Sequence, residues 1–157
     1  MSVKFDSFAM EEAFACSVHK LFSAFTDPMT KRAWYVDGAH ADTHETLAYT
    51  LDPTVGGKEV FRLVLNSKTP AAGLEIQMVG ECVARVDEAL LVYASRMIAR
   101  GAIVSITNET FEFSARGEGS RLRLTQQGVY LDGSDGPELR RRGHEQLLAG
   151  LRQYLGG

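Results

Sequence analysis

One carboxylate of this sequence stands in an apolar strand pattern, where it could act as an acid or a base. Strict alternation in Glu109-Thr-Phe-Glu-Phe113 places Glu109 on the same strand face as Phe111, Phe113 and Thr107. A carboxylate on an apolar face must be paired, protonated or used in function, because burial of an isolated charge is costly. The alternative is a strand bulge or a position at the sheet rim, either of which would leave Glu109 in water.

His144 is the second candidate for acid–base chemistry, one helical turn before Leu147 on an apolar helix stripe. It can serve as a base or as a hydrogen-bond donor to a ligand, or it can be an internally satisfied histidine at the domain edge. Gln126 and Tyr93 occupy inward positions of predicted strands. Each can orient a ligand in an apolar pocket or form a local hydrogen bond in an ordinary core.

Two histidines near acidic residues, His40 and His44 with Asp37 and Asp42, superficially suggest a metal site. A third ligand and a clear scaffold are missing from this loop, so we predict no metal. The basic run 140–142 lies near a helix N-terminus, where the helix dipole disfavours cations. We predict a solvated charge run there, and the alternative is contact with an anionic partner or a ligand carboxylate. The sequence has no Ser-His-Asp arrangement, phosphate-binding glycine loop or nucleotide fingerprint, so we predict no cofactor and no catalytic motif.

The elements that must position these side chains follow from periodicity. Alternating patterns predict seven strands, and helical spacing predicts two short helices after the first strand and one long C-terminal helix. Short turns between the strands indicate antiparallel neighbours. The predicted strands are 8–16, 46–51, 58–65, 74–86, 90–97, 102–113 and 121–130, and the predicted helices are 18–26, 29–35 and 137–155.

The long C-terminal helix carries one apolar stripe and two glycines. Gly143 and Gly150 lie on nearly the same side, and each costs roughly 1 kcal/mol against alanine in a helix interior. Close backbone approach or room for a bound molecule would offset this cost. The apolar positions predicted to share a face are Leu147, Leu148, Leu151, Tyr154 and Leu155 of this helix, Leu47, Tyr49 and Leu51 of strand 46–51, and Ile76, Met78, Cys82, Ala84 and Val86 of strand 74–86.

Length and composition, with 45% hydrophobic and 24% charged residues, indicate one globular domain over residues 1–157. A net charge of -3 gives no general footprint for nucleic acid. The N-terminal residues lack a signal-peptide pattern, and no apolar run approaches the ~18 residues that span a membrane. We therefore expect a cytoplasmic protein without a membrane partner. Cys16 and Cys82 form no CxxC pair and are expected to be reduced.

Three segments of the sequence resemble a known family. They are Phe22-Ser-Ala-Phe-Thr-Asp-Pro28 followed by Trp34, the turn before Leu91-Val-Tyr93, and Thr125-Gln-Gln-Gly-Val-Tyr-Leu-Asp-Gly133 before the last helix. The chain resembles the bacterial single-domain homologues of the activator of the heat-shock protein 90 ATPase, within the START/Bet v-like helix-grip superfamily. The resemblance covers nearly the whole chain and implies an α+β helix-grip fold, in which a curved antiparallel sheet of six to seven strands wraps around the long C-terminal helix.

The same resemblance implies a range of functions rather than one. Members of the superfamily are known as binders of lipids, hormones and polyketides, and a few are cyclases or hydrolases. Glu109 departs from the family pattern, which usually has an apolar residue at this position. The activator that gives the family its name is similar to a two-domain protein. At 157 residues, this chain is long enough for the C-terminal domain only.

We therefore predict binding of a small apolar or amphipathic ligand in a cavity between the sheet and the C-terminal helix. The alternatives are a cyclase- or hydrolase-type enzyme that uses Glu109 and His144, and a chaperone-ATPase co-factor or interaction module. Open sheet edges also allow a homodimer. The residues predicted to line the cavity are Phe25, Trp34, Tyr49, Phe61, Met78, Tyr93, Thr107, Glu109, Phe111, Gln126, Tyr130, His144, Leu147, Leu148 and Leu151.

Overall fold

The computed structural model describes residues 1–38 and 41–157 of the chain. Within this part, seven strands form one antiparallel sheet in the order β1-β7-β6-β5-β4-β3-β2. The strands are β1 (Lys4–Phe14), β2 (His44–Leu51), β3 (Lys58–Leu65), β4 (Glu75–Val86), β5 (Leu90–Ala99), β6 (Ala102–Arg116) and β7 (Gly119–Tyr130). The helices are α1 (Val18–Thr26), α2 (Pro28–Lys31), which continues as a π-helical segment (Arg32–Val36), and α3 (Pro137–Leu155), and a short 3-10 turn (Ala41–Thr43) precedes β2. This arrangement confirms the predicted α+β class, with two short helices after the first strand and a long C-terminal helix on the sheet.

Local capping chemistry explains where the helices begin and end. The Ser17 side chain accepts a hydrogen bond from the backbone N–H of Lys20, and α1 begins at the residue after Ser17. Asp27 caps α2 in the same way, directly ahead of Pro28 in the first turn. Gly156 ends α3 in a left-handed conformation with φ 83°, which favours glycine. These caps agree with the helix boundaries that the sequence predicts for α1 and α3.

Two of the three register shifts among the described strands change strand faces that simple alternation predicts. The register shifts between Thr46 and Ala48 in β2, and Leu47 is 48% exposed. A second shift lies between Cys82 and Ala84 in β4, and Val86 beyond it is 55% exposed. The predictions that Leu47 and Val86 face the core are therefore wrong, because the extra residue of a bulge breaks the two-residue period.

One end of the sheet is filled by side chains from α1 and from the C-terminal half of α3, and we call it the packed end. Phe22 and Phe25 of α1 contact Phe113 of β6, with ring centroids 5.1 and 5.4 Å apart. Apolar burial of this kind is the main favourable contribution to folding. The buried cluster of the packed end comprises Phe14, Leu21, Phe22, Ala24, Phe25, Trp34, Cys82, Leu91, Tyr93, Phe113, Leu122, Leu148, Leu151 and Leu155.

The helix α3 has two adjoining faces with different surroundings. Leu148, Leu151 and Leu155 are buried in the packed end, as the sequence predicts. Tyr154 is 49% exposed, so its predicted place in the buried stripe is wrong. At helical spacing, Tyr154 follows Gly143 and Gly150, which border the open space between α3 and the sheet rather than the packed cluster.

The opposite end of the sheet, around β3 and β4, has a smaller buried cluster of Val36, Phe61 and Leu63. One face of α3, which includes Leu139, Gly143 and Gly150, lies over this region without filling the space between helix and sheet. We call this region the cavity end. The fold thus provides one solid side and one hollow side beneath the same helix.

Two further findings concern the residues that the structure describes. No helix in this part of the chain is long and apolar enough to cross a bilayer. Cys16 and Cys82 are free thiols, and Cys82 is buried in the packed end.

Candidate functional site

A cavity of about 640 Å³ lies between the sheet and one face of α3, which borders it from Leu139 to Gln153. Apolar side chains from the sheet, Phe61, Leu63 and Met78, form part of its wall. A smaller cavity of about 70 Å³ lies beside it. The residues that border both cavities are Tyr35, Glu59, Ser95, Glu109, His144 and Leu147. All of them except Leu147 are polar, so polar chemistry is concentrated where the two cavities meet.

Glu109 of β6 lies at this junction. The Thr107 hydroxyl donates a hydrogen bond to its Oε1 at 3.3 Å, and the Ser95 side chain also hydrogen-bonds with the carboxyl. Its Oε2 is buried and has no hydrogen-bond partner among the described residues. Burial raises the pKa of Glu109 to about 7, although Ser95, the nearby Arg140 and Thr107 oppose the shift. The alternative that Glu109 lies in water at the sheet rim is therefore wrong.

His144 of α3 is engaged away from Glu109. Its Nε2 forms a short hydrogen bond with Oε1 of Gln126, and Nε2 of Gln126 donates to the Tyr130 hydroxyl at 2.7 Å. Because the Gln126 oxygen can only accept, Nε2 of His144 carries the proton. Burial lowers the pKa of His144 to about 4, and Arg140 contributes to the shift. His144 is therefore neutral at pH 7, and the contacts of the described residues include no hydrogen bond between His144 and Glu109.

Arg140 is a cation in the cavity wall, with only 11% of its side chain exposed. It donates to both carboxylate oxygens of Asp135, at 2.8 and 2.9 Å, and to the Ser105 hydroxyl at 2.9 Å. Burial disfavours the charge, but pairing with Asp135 outweighs burial and raises the pKa of Arg140. The prediction of a solvated charge run is wrong for Arg140, because Asp135 supplies its counter-charge. Arg141 and Arg142 are exposed, as that prediction expects.

Sequence reasoning missed a second enclosed ion pair, formed by Lys31 and Glu59. Lys31 Nζ lies 2.7 Å from Oε2 of Glu59, which also accepts a hydrogen bond from the Tyr49 hydroxyl at 2.6 Å. The same ammonium lies 5.0 Å and 5.6 Å from the ring centroids of Tyr35 and Tyr93. One signal was available, since alternation along β3 puts Glu59 on the inward face. The helix α2 is too short to reveal an inward face for Lys31.

The structure brings eleven of the predicted site residues to the two cavities. Those on the larger cavity are Phe61, Met78, Thr107, Glu109, His144 and Leu147. Those on the smaller cavity are Phe25, Trp34, Tyr93, Glu109, Phe111, His144, Leu147 and Leu148.

Four predicted site residues border neither cavity, and their predicted place in the wall is wrong. Tyr49 is held by Glu59 through its hydroxyl. Gln126 and Tyr130 are buried and hydrogen-bond each other behind His144 rather than facing the empty space. Leu151 is completely buried in the packed end.

The loop after the π-helical segment gives no metal site in the part of the chain that the structure describes. Asp37 pairs with Arg32 at 3.4 Å and Asp42 pairs with Lys68 at 3.5 Å, so both acids have cationic partners. No group of three or more potential metal ligands occurs among residues 1–38 and 41–157. His40 lies outside the described residues.

Comparison with known proteins adds a family model and several solved structures. The model described as "Activator of Hsp90 ATPase homolog 1-like protein" matches residues 15–156. The chain is similar to the crystal structure of Mll3558 from Rhizobium loti, with 30% identity, a TM-score of 0.83, and coverage of 98% of this chain and 99% of that chain. Among curated proteins, none matches the chain significantly.

Two further solved structures share this fold at lower sequence identity. An uncharacterized protein from Rhizobium leguminosarum is 25% identical, with a TM-score of 0.87 and coverage of 99% of this chain and 97% of that chain. Protein CV1439 from Chromobacterium violaceum is 19% identical, with a TM-score of 0.74 and coverage of 96% and 97%. At 19% identity the second likeness concerns the fold alone.

Proposed function

We propose that this chain, which belongs to the family of activator of Hsp90 ATPase homolog 1-like proteins, binds a small amphipathic molecule between its sheet and α3. The observation that carries this proposal is the cavity of about 640 Å³, a volume typical of small-molecule sites. The wall of this cavity combines apolar side chains with a few enclosed polar groups, which is the usual composition of such sites.

Apolar side chains supply the driving force for binding. Phe61, Leu63 and Met78 face the cavity from the sheet, and Leu139 and Leu147 face it from α3. Each Å² of apolar surface that leaves water on binding contributes about 25 cal/mol. Leu139 is 58% exposed in the empty protein, so its contact with a ligand would bury surface that now faces water. The body of the ligand is therefore apolar.

The polar residues at the junction of the two cavities orient the ligand. Ser95 and Glu109 border both cavities, and Arg140 borders the larger one. These groups lie on the inner wall, whereas the exposed Leu139 lies at the first turns of α3. A ligand with one polar group and an apolar body satisfies both parts of the wall at once.

Filling the cavity from α3 tests this proposal. A Cβ added at Gly143 would meet no heavy atom within 4 Å, and Gly143 borders the cavity. We expect the variant Gly143→Phe to fold and to place its ring in the cavity. Titration with the uncharged dye N-phenyl-1-naphthylamine should give saturable, one-to-one fluorescence enhancement with the wild-type protein. The affinity of Gly143→Phe should be at least about tenfold weaker, which corresponds to about 1.4 kcal/mol.

The matched control is Glu145→Phe, which adds the same ring to an exposed position of α3. This variant should bind the dye as the wild-type protein does. Absence of saturable binding to the wild-type protein would contradict the proposal, and so would equal affinity of the wild-type protein and Gly143→Phe.

A second candidate function, acid–base catalysis on the bound molecule, is favoured by one observation. With a pKa of about 7, Glu109 is present in both its acidic and its basic form near neutral pH, which suits a proton donor or acceptor. His144 is unsuited to be its partner, because it is neutral and hydrogen-bonded to Gln126. This candidate requires a Glu109 pKa near neutrality, which the pH dependence of the stability of Glu109→Gln measures.

A further inference from the structure

We propose that the polar group of the ligand is a protonated amine that forms an ion pair with Glu109. This inference rests on the proposed binding function and names the class of molecule that the cavity takes. The observations that carry it are the pairing of the charged groups around the cavity, the unpartnered Oε2 of Glu109, and the aromatic rings that face the same space.

The enclosed cations at the cavity already have their own acids. Lys31 pairs with Glu59 at 2.7 Å, and Arg140 pairs with Asp135 at 2.8 Å. Among the described residues, no cationic nitrogen lies within 4.0 Å of the Glu109 carboxylate. Glu109 is therefore the one enclosed acid of the described wall that lacks a counter-charge of its own.

The surroundings of Glu109 are suited to a carboxylate rather than to an unused polar group. The hydroxyls of Thr107 and Ser95 hydrogen-bond with the carboxyl, and such bonds favour the ionised form. Oε2 remains buried without a partner in the described part of the chain. A buried acceptor that forms no hydrogen bond costs free energy, and a donor group of the ligand at this atom would remove that cost. An ammonium group supplies both the donor and the missing positive charge.

The protein already holds one ammonium group, that of Lys31, between a carboxylate and aromatic rings in the wall of the smaller cavity. The Lys31 ammonium is held by the Glu59 carboxylate and by the rings of Phe25, Tyr35 and Tyr93, at 5.8, 5.0 and 5.6 Å from their centroids. Ammonium groups bind well to such combinations, because the ring faces are negative and the carboxylate neutralises the charge. Tyr35 also borders both cavities, so a ligand ammonium at Glu109 would have an aromatic face nearby.

Other head groups fit the wall less well. A ligand carboxylate would meet Glu109, and the charge of Arg140 is already balanced by Asp135. Like charges enclosed together disfavour each other strongly. A neutral alcohol can accept a hydrogen bond from protonated Glu109 or donate one to its ionised form, but it cannot neutralise the charge of the carboxylate. The amine is thus favoured wherever Glu109 is ionised.

Three probes with the same tail separate these possibilities: decylamine, decanol and decanoic acid. We would measure their affinities by calorimetry at about pH 8, where the amine is charged and Glu109 is mostly ionised. The amine should bind the wild-type protein about tenfold to a hundredfold more tightly than the alcohol, as expected for a charge-assisted hydrogen bond. The acid should bind most weakly. In Glu109→Gln the advantage of the amine over the alcohol should disappear.

The pH dependence provides a second readout. Between about pH 6 and 8, the affinity for decylamine should rise as Glu109 ionises, and the affinity for decanol, which carries no charge, should change much less. Burial raises the pKa values of Tyr35 and Tyr93 and lowers that of His144 to about 4, so these groups do not change charge in this range. The other charged or titratable groups of the wall are Lys31 and Glu59, Arg140 and Asp135, and Asp42, His44 and Arg96. The contribution of these groups is the part of the pH dependence that remains in Glu109→Gln.

The control is Glu118→Gln, which removes an exposed acid far from the cavity wall and should leave all three affinities unchanged. If none of the three probes binds the wild-type protein, both the binding function and this inference fail. If decanol or decanoic acid binds as tightly as decylamine, or if Glu109→Gln keeps the preference for the amine, the inference is overturned while the binding function stands.

Discussion

The packed end and the cavity end lie under the same helix, but they differ in what the rest of the chain supplies to them. At the packed end, α1 inserts Leu21, Phe22 and Phe25 between the sheet and α3. At the cavity end, α3 presents Gly143 toward the sheet, and about 640 Å³ stays empty. The difference comes from side-chain volume on one helix and from the position of α1, rather than from a difference in the sheet.

The two ends also differ in the polarity of their enclosed groups. The cluster of the packed end is apolar apart from groups at its border. The cavity end encloses Glu109, the Lys31–Glu59 pair and Arg140. Enclosed charges add little stability and are costly to leave unpaired, so residues of this kind are usually retained for function. Stability is therefore concentrated where α3 packs against α1, and the candidate function where another face of the same helix borders the larger cavity.

Truncating one leucine at each end should give the largest difference in the free energy of unfolding. Leu151 is fully buried at the packed end, and Leu151→Ala should lower the free energy of unfolding by about 3 kcal/mol. Leu139 borders the cavity and is 58% exposed, so Leu139→Ala should cost less than about 0.5 kcal/mol. Urea unfolding of both variants measures the difference. Similar losses for the two variants would show that the ends do not differ in packing.

Neutralising Glu109 should stabilise the protein at neutral and higher pH. Its pKa rises from 4.5 to about 7 on folding, which corresponds to about 3 kcal/mol. Below about pH 4.5 the carboxyl is protonated in both states and burial carries no charge penalty. Between about pH 4.5 and 7 the unfolded state ionises while the enclosed carboxyl stays protonated, so stability falls as the pH rises. The loss is complete above about pH 7, where the folded state ionises as well.

We therefore expect Glu109→Gln to be more stable than the wild-type protein by up to about 3 kcal/mol near pH 8. The difference should shrink as the pH falls, and the two proteins should become nearly equal below about pH 4. Unfolding curves over this pH range test the prediction, with the exposed Glu118→Gln as the control. A difference that does not change with pH would mean that Glu109 has an ordinary pKa, and it would remove the acid–base candidate as well.

The smallest expected effect concerns the glycine at the cavity end. Gly143→Ala should raise the free energy of unfolding by up to about 1 kcal/mol, because alanine favours the helix and its methyl group enters open space. Dye binding should be nearly unchanged, since one methyl group occupies little of the cavity. At the other end of the helix, Gly156→Ala should destabilise, because Gly156 has φ 83°. A loss of stability in Gly143→Ala would show that no free space lies beside this residue.

The burial of Glu109 could be predicted from the sequence because β6 alternates without interruption over that segment. Its register with β7 is continuous from Ser105 to Arg116, so each inward position follows from the one before. The same rule failed for Val86 of β4, where a bulge after Cys82 shifts the alternation. A bulge depends on how two strands pair, and one strand's sequence does not contain that information.

The enclosed ion pairs could not be predicted from the sequence, because they too depend on how separate elements pack together. Lys31 and Glu59 are distant in the chain and lie on different elements, so their pairing exists only after α2 docks on β3. Asp135 and Arg140 are close in sequence, but their enclosure depends on how α3 lies on the sheet. Periodicity predicts which face of an element is apolar, and it gives no rule for a charge that is neutralised by a distant partner.

The pairing of β1 with β7 has a consequence for how the molecule assembles. The strands β2 to β6 pair with neighbours along the chain, but Phe8 of β1 pairs with Gln126 near the other end of the sequence. Contacts of such long sequence separation slow folding, because a large loop must close before they form. During synthesis β1 cannot pair until β7 has been made. The cavity forms only when α3, which follows β7 in the chain, docks on the sheet. A cavity ligand should therefore leave the early steps of folding unchanged and act mainly by slowing unfolding.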